Sequence, residues 1–345
     1  MDYGEKALLL QERLTGNMVA VVTDGSAVKG LGNIGSKAAM PVMEEKALLF
    51  KRLADIDALP ICLDSRDIGE IVNTVRFMSP SFVGIHLEDI AAPRCYEVED
   101  RLKRELEIPV FHNDQHGTAI VVAAALINAL KVVDKDFDKV NTVINGIGSA
   151  GSAIARLLIQ MGIRSIVLCG RQGILYPGDE KNDFMQEGLA RFTNPEGIKG
   201  TLADAFEEAD IFIGVSAPNI VSQEMVSSMS KDSIVLALAN PVPEIGPWLA
   251  IKAGARVVGT GRPDYKNQVN NVLAFPGLFR GVLDAGVAAI SEDTKIAAAR
   301  AIASVISDDE ISEDYILPLP FDERVVPAVA KAVSKTAVKS GKNCQ

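Results

Sequence analysis

Two short apolar runs in this chain end in carboxylates: Glu88-Asp89 follows Phe82-Val-Gly-Ile-His-Leu87, and Asp114 closes Pro109-Val-Phe-His-Asn113. Runs of this length and composition, separated by a helix-like stretch over 94–106, predict neighbouring strands of a buried parallel sheet. Such strands finish on one edge, and ligands bind just beyond their carboxyl ends. The pattern therefore predicts three carboxylates converging at one place. Like charges packed together repel. A divalent cation that prefers hard oxygen ligands, Mg²⁺ or Mn²⁺, would relieve that repulsion. The competing reading is that these acids cap the helices that follow.

The elements needed to position these residues are legible in the hydrophobic pattern. Strand-like runs at 18–23, 58–63, 82–87 and 109–112 alternate with helical patterns at 37–54, 66–77 and 94–106, which predicts a parallel α/β unit. A long helix begins near Thr118, and a second alternation follows, with strands at 141–146, 165–169, 210–215, 233–239 and 255–259. Helical patterns at 294–306 and 324–340 close the chain, separated by a proline-containing break at 317–320. The fold class is α/β: two parallel-sheet domains, the second of Rossmann type, with C-terminal helices. The division falls at 1–115 and 116–345.

The sequence GxGxxG occurs twice. Gly30-Leu-Gly32-Asn-Ile-Gly35 follows its strand only after a seven-residue detour, and Pro41 interrupts what comes next. It reads as a tight, conformationally demanding loop near the substrate site. Gly146-Ile-Gly148-Ser149-Ala150-Gly151 directly follows Val143-Ile-Asn145 and runs straight into Ala153-Ile-Ala-Arg-Leu-Leu-Ile. Strand, glycine turn and helix in that order are the context for a dinucleotide pyrophosphate at a helix N-terminus. The second strand of this unit ends in Gly170-Arg171, where an NAD-preferring unit places Asp or Glu on the ribose hydroxyls. A guanidinium there suits the 2′-phosphate of NADP, and a solvent-facing arginine at a strand end is the alternative.

Composition narrows the partners. The chain has 345 residues, 48% of them hydrophobic and 5% aromatic, with a net charge of −10. That charge predicts no general attraction to nucleic acid or to an anionic membrane. Cys62, Cys95, Cys169 and Cys344 are widely spaced without a CxxC pair, and the apolar or helix-edge settings of the first three suggest packed thiols rather than metal ligands or disulfides. The apolar stretch from Thr118 to Val133 carries Asn128 and Lys131 and is read as too short for a membrane span. The expectation is a soluble, cytoplasmic protein.

Taken together, the motifs resemble those of the malic enzymes, in their short bacterial form. The resemblance runs from Asn17 to about Lys339. Its landmarks are Val21-Val-Thr-Asp-Gly-Ser26, Gly30-Leu-Gly-Asn-Ile-Gly35, Met40-Pro-Val-Met-Glu-Glu-Lys46, Leu87-Glu-Asp-Ile90 and Pro109-Val-Phe-His-Asn-Asp-Gln-His-Gly-Thr118. Leu238-Ala-Asn-Pro-Val-Pro-Glu244 and Asn267-Gln-Val-Asn-Asn-Val-Leu-Ala-Phe-Pro-Gly277 complete the set. The resemblance implies oxidation of L-malate with NAD⁺ or NADP⁺, decarboxylation of the bound oxaloacetate, and release of pyruvate and CO₂. It makes Glu88, Asp89 and Asp114 ligands of Mn²⁺ or Mg²⁺, and Lys46 the base for the malate hydroxyl. Thr118, Ser216 and Asn240 match contacts to the nicotinamide half of the cofactor, and Asn270 and Asn271 match contacts to the substrate carboxylate. A homodimer is the implied assembly.

Several positions depart from the family pattern. Asn113 replaces an Asp, Glu45 a Gly, Lys29 a Leu and His86 an Asn. Asn113 should lower the pKa of Lys46, and Glu45 should raise it if it faces inward. The family's Tyr-Thr-Pro-Gly-Val-Ala segment, whose tyrosine protonates C3, has no counterpart in Met1 to Gly16, where Tyr3 is the one tyrosine. Loss of a positioned general acid costs about 10²–10⁴-fold, so a slow enzyme is expected. Two other activities fit the same motifs: a metal-dependent oxaloacetate decarboxylase, and a non-catalytic dinucleotide-binding paralogue.

Overall fold

A computed structural model of the chain describes residues 16–342, apart from Pro195. Tyr3 and Cys344 lie outside the described residues. The chain opens on β1 (Met18–Thr23), buried from Val19 onward on both faces, as a valine-rich interior strand of a parallel sheet should be. Then come α1 (Gly35–Ala54), β2 (Asp57–Cys62), α2 (Ile68–Met78), β3 (Gly84–Leu87), α3 (Arg94–Glu105) and β4 (Val110–His112). A π-helical turn, Asn113–Gly117, leads into α4 (Thr118–Val133). The second alternation comprises β5 (Asn141–Asn145), α5 (Ser149–Met161), β6 (Ser165–Gly170), β7 (Gly173–Ile174), α6 (Phe184–Thr193), β8 (Ile211–Gly214), β9 (Ile234–Ala237) and β10 (Val257–Thr260). The chain closes with α7 (Phe275–Ala285), α8 (Glu292–Ala303) and α9 (Val325–Lys342). The nine strands expected from the sequence lie within two residues of these bounds at either end. The two-residue β7 is an antiparallel addition to an otherwise parallel sheet.

The chain forms two compact units. The first takes the chain up to Gly117, together with Asn271–Ile302 and the segment from Phe321, and holds a sheet of order β2-β1-β3-β4. The second takes Thr118–Asn270 and Ala303–Pro320, with strand order β10-β9-β8-β5-β6-β7. That is the doubly wound Rossmann-type order, with its switch point beside β5. A single cut at residue 115 therefore does not describe the compact units, because α7 and α9 return to the first. Phe50 on α1 stacks edge-on against Phe275 and Phe279 of α7, with ring centroids 4.8 and 5.3 Å apart. This aromatic seam has no local sequence periodicity joining its halves.

Two helices depart from simple expectation. α1 runs through Pro41 without ending, losing only the hydrogen bond that the missing N–H would have made. The π-turn and α4 together form a helical stretch, Asn113–Val133, of 21 residues with hydropathy 1.7. It is thus long and apolar enough to cross a membrane, contrary to the length read from Thr118 alone. In the fold, Ala119 to Leu126 are each almost fully buried, and Asn128 donates to the carbonyls of Ala303 and Ile316. A core helix buried on all sides reads as apolar all round. Cys62, Cys95 and Cys169 are free thiols.

The helices α7 and α9 meet through glycine. A Cβ on Gly281 would lie 2.6 Å from the Ala330 carbonyl oxygen and 2.7 Å from Val333 Cβ. Gly281→Ala should therefore destabilise the protein by overpacking, by about 1–3 kcal/mol. A lowered urea midpoint with unchanged slope is the expected reading. No change would mean that the two helices separate freely.

Candidate active site

β3 and β4 are paired in parallel, with Leu87 opposite His112, so the residues just after each strand emerge side by side. Glu88, Asp89 and Asp114 follow those strand ends, and one carboxylate oxygen from each lies within 4.8 Å of the others. Glu88 and Asp89 are buried, and the Asp114 side chain is 23% exposed. The Asp89 N–H donates to Asp114 Oδ2 at 2.7 Å. Asp89 sits at φ 56°, a left-handed conformation that aspartate tolerates better than most residues but that is still uncommon. The segment just before the Gly30–Gly35 loop closes on the same residue: Ala27 N–H donates to the Asp89 carbonyl at 2.9 Å and Lys29 N–H to its carboxylate at 3.3 Å.

The three carboxylates are not equivalent. Glu88 is surrounded by donors: Lys46 Nζ at 3.3 Å, His86 Nε2 at 2.6 Å and Asn113 Nδ2 at 3.0 Å. Burial opposes its ionisation, but Lys46, His86 and Asn113 outweigh that and hold its carboxyl down at about 2. Burial, reinforced by the charges of Glu88 and Asp114, pushes Asp89 up to about 9. Asp114 is raised for the same reasons, burial first and Glu88 next, with His112 partly offsetting them. The cluster thus holds more negative charge than its own donors balance. All-oxygen, carboxylate-rich donor sets of this kind fit Mg²⁺ or Mn²⁺. Among the described residues the buried His112 Nε2 has no hydrogen-bond partner, and it lies 3.9 Å from Asp114 Oδ2.

Lys46 projects from α1 over the Phe275 ring, 5.4 Å from its centroid. Burial pulls its pKa down, but Glu88, Asp114 and Asp89 together outweigh burial and raise it. Two of the departures read from sequence take their place here. Glu45 is exposed and is not among the charges acting on Lys46. Asn113, in place of a fourth carboxylate, donates to Glu88. His86 is fully buried among Phe50, Phe111, Phe275 and Phe279, its Nδ1 without a partner, which fixes its proton on the Nε2 that faces Glu88.

A second layer was not singled out from sequence. Glu99 on α3 accepts from the His112 N–H at 3.0 Å, Gln115 Nε2 at 3.1 Å and Lys103 Nζ at 2.8 Å, and pairs with His116 Nε2 at 2.9 Å. It therefore ties down the π-turn on both sides of Asp114. The far ring nitrogen of His116 faces Lys295 Nζ at 3.0 Å. A signal for Glu99 did exist: the buried positions of α3 are Cys95, Val98, Glu99 and Leu102, an apolar stripe at helical spacing with one carboxylate inside it. All three histidines of the chain thus flank the carboxylate cluster.

The second unit carries a cavity of ≈ 710 Å³ lined by Gly146, Gly148, Arg171, Lys181 and Ser216, among others. It opens at the carboxyl ends of β5 and β6 and beside Val215, which follows β8. Gly148 caps α5 without a side-chain hydrogen bond, leaving the first N–H groups of that helix free, with Ser149 and Ala150 as its first residues. A Cβ at Gly151 would come 1.8 Å from the Gly146 carbonyl oxygen, so only glycine allows the helix this close to the turn. Asn145 Nδ2 donates to Ser216 Oγ at 2.7 Å. The fully buried Glu244, which closes the Leu238–Glu244 motif but carries no role legible in it, accepts from the N–H groups of Ser216 and Ala239 at 2.9 and 3.0 Å.

Comparison with known proteins supplies the family. The chain matches the model of the malic enzyme N-terminal domain over residues 6–103 and that of the malic enzyme NAD binding domain over residues 115–338. It is 56% identical to the bifunctional malic/malolactic enzyme of Bacillus subtilis, covering 95% of this chain and 80% of that protein. The chain belongs to the malic enzyme family. It is also 46% identical to the NADP-dependent malic enzyme of Escherichia coli, where 94% of this chain covers 45% of that protein. The NAD-dependent malic enzyme of Thermotoga maritima superposes with a TM-score of 0.91 at 47% identity, over 96% of this chain and 88% of that one. Both nicotinamide cofactors are thus represented among the malic enzymes it resembles.

Within this family frame, Glu88, Asp89, Asp114 and Lys46 come together in the first unit, and Asn271 opens a short 3₁₀ turn in the same unit. Gly146 to Gly151, Arg171 and Ser216 gather at or beside the cavity of the second. Thr118 is the first residue of α4, Asn240 Nδ2 donates to the Leu238 carbonyl, and Asn270 is half-buried; none of the three lines that cavity.

The second layer makes stability pH-dependent. Burial, partly opposed by Glu99, pulls His116 from 6.5 down to about 4. The folded chain then binds fewer protons than the unfolded chain between those values, so His116 contributes stability that is complete above pH 6.5 and lost as the pH falls toward 4. In chelator-treated protein, urea midpoints should fall over that window, and His116→Gln should flatten the fall. An equal slope in parent and variant would assign the acid sensitivity elsewhere.

Proposed function

We propose that this chain catalyses the oxidative decarboxylation of L-malate to pyruvate and CO₂, reducing NAD⁺ or NADP⁺ and requiring Mn²⁺ or Mg²⁺. The observation that carries the reading is the set of three carboxylates within 4.8 Å, with Lys46 Nζ 3.3 Å from Glu88, in a member of this family. A divalent cation held by Glu88, Asp89 and Asp114 would supply Lewis acidity toward the oxygens of a 2-hydroxy acid. Lys46 takes the hydroxyl proton at Nζ, for which it must first be neutral. Burial favours the neutral amine and only the carboxylate charges oppose it, so balancing those charges moves Lys46 toward a working base. Phe275, beneath the ammonium, and the aromatic walls around His86 exclude water from this side of the site.

Other assignments follow the same reading. Asn270 and Asn271 offer neutral amide donors to a substrate carboxylate without competing for the cation. The Gly146–Gly151 turn and the N-terminus of α5 receive the pyrophosphate, with Thr118, Ser216 and Asn240 directed to the nicotinamide half. A homodimer is the expected assembly. The direct test is malate-dependent cofactor reduction with Mn²⁺ present, with pyruvate, lactate and oxaloacetate followed in parallel. Oxaloacetate loss without malate oxidation would favour a plain decarboxylase. Lactate without net cofactor reduction would match the malolactic activity named for the Bacillus subtilis relative.

Two outcomes are expected. Asp114→Ala should abolish turnover and weaken Mn²⁺ binding in calorimetry, yet leave chelator-treated protein at least as stable, since it removes one of three repelling carboxylates. Turnover that survives excess chelator would overturn the metal assignment. For the cofactor, NADP⁺ should be preferred and Arg171→Ala should narrow the preference. A charge-assisted contact to phosphate is worth roughly 1.5–3 kcal/mol, about tenfold or more in affinity. Equal constants for both cofactors in the parent enzyme would place Arg171 away from the phosphate.

A further inference from the structure

We infer that Ile147, the residue between the first two glycines of the dinucleotide turn, sets cofactor preference jointly with Gly170 by filling the space an acidic side chain at position 170 would need. The inference rests on reading the second unit's cavity as the dinucleotide site, and it adds a determinant that Arg171 alone does not supply. β6 ends at Gly170, the strand end from which an acid reaches the two ribose hydroxyls. Ile147 and Gly170 line the same cavity.

The obstacle at position 170 is space. The Gly170 backbone lies outside the left-handed region, so conformation alone does not demand glycine. A Cβ there would come 2.4 Å from Ile147 Cδ1 and 2.9 Å from Ile147 Cγ1. Rotation about χ2 would carry Cδ1 away but leave Cγ1 where it is. Moving Cγ1 needs a change of χ1, which is restricted in a β-branched residue, or a shift of the glycine turn itself. The turn is wedged: Gly146 sits at φ 125° with its Cβ direction 2.6 Å from the Val215 carbonyl oxygen, and Gly151 abuts the Gly146 carbonyl. Position 170 is therefore closed to a carboxylate while position 147 holds a branched side chain. With that carboxylate shut out, no charge from this strand end opposes a 2′-phosphate, and Arg171 stands next in sequence. Among the described residues lining this cavity, Asp179 is the one carboxylate.

The test is a double-mutant cycle on the full chain, read in two ways. NADH and NADPH are titrated by fluorescence into the parent, Gly170→Asp, Ile147→Ala and the double variant. Gly170→Asp alone should weaken both nucleotides without reversing the preference. The double variant should recover NADH binding and prefer NADH by about tenfold or more, the worth of a charge-assisted pair to the ribose. A reversal by Gly170→Asp alone, equal to that of the double variant, would overturn the inference. So would a double variant with no gain in NADH, which would leave diol recognition to Asp179. The second reading needs no ligand and survives poor folding of the aspartate variant. Gly170→Ala should lower the thermal midpoint in the parent but not in the Ile147→Ala background. Additive effects there would refute the steric coupling, whereas a parent that binds neither nucleotide would overturn the cofactor reading with the coupling still measured.

Discussion

Three carboxylates crowded within 4.8 Å impose the constraint that the rest of the first unit answers. Carboxylates taken out of water near one another favour the protonated form, and a protonated acid is a poor ligand for a cation. The fold answers unevenly. It surrounds Glu88 with a lysine, a histidine and an amide and keeps that residue ionised, while Asp89 and Asp114 are left raised. The sheet supplies the convergence, since β3 and β4 run in parallel and their ends deliver Glu88-Asp89 and Asp114 to one edge. α1 brings Lys46, and α7 brings the aromatic rings that pack against both Lys46 and His86.

That arrangement explains why α7 and α9 belong with the first unit although they follow the second in sequence. Burial among aromatic rings lowers the pKa of His86 and favours its neutral form, with Nε2 directed to Glu88. Phe275 and Phe279 of α7 supply that wall, and α9 holds α7 through the close approach at Gly277 and Gly281. The stability of a helix pair remote in sequence thereby bears on the ionisation of a carboxylate at the end of β3.

The strands and the long helices were legible because buried parallel strands are short apolar runs with turn residues at their ends. The carboxylates were legible because they closed such runs. Lys46, by contrast, stands in an ordinary amphipathic pattern, and only the motif around it distinguished it from a solvated lysine. The roles of Glu99, His86 and Glu244 are not legible in the sequence for a different reason. Each works through partners far away in sequence: Glu99 through His112 and His116, His86 through aromatic rings on two other helices, and Glu244 through the N–H of Ser216. The effect of Glu45 turned on which way a helix faces, and the structure turns it outward. The return of the C-terminal helices to the first unit is equally non-local, since nothing in the pattern of either helix names its partner.

Glu99, Glu244, Asp89 and Asp114 differ in the number of donors each finds, whereas Glu88 combines three donors with a place in the carboxylate cluster. Glu99 meets four donors and Glu244 accepts two backbone N–H groups, so each is satisfied by protein alone. Loss of either would leave those donors unpaired. Among the described residues, Asp89 and Asp114 each accept one backbone N–H, from Lys29 and from Asp89 respectively, although each carboxylate has about four acceptor sites. Two nearby polar groups, His112 Nε2 and Asn113 Oδ1, are buried without partners among the described residues. Unsatisfied acceptors cost free energy wherever they are buried, and a fold that supplies Glu99 with four donors a few residues away does not lack the means to supply two more. One carboxylate oxygen from each of Glu88, Asp89 and Asp114 lies within 4.8 Å of the others. A cation is the one partner that satisfies several such oxygens at once, which makes this deficit the strongest physical argument for a metal at the cluster.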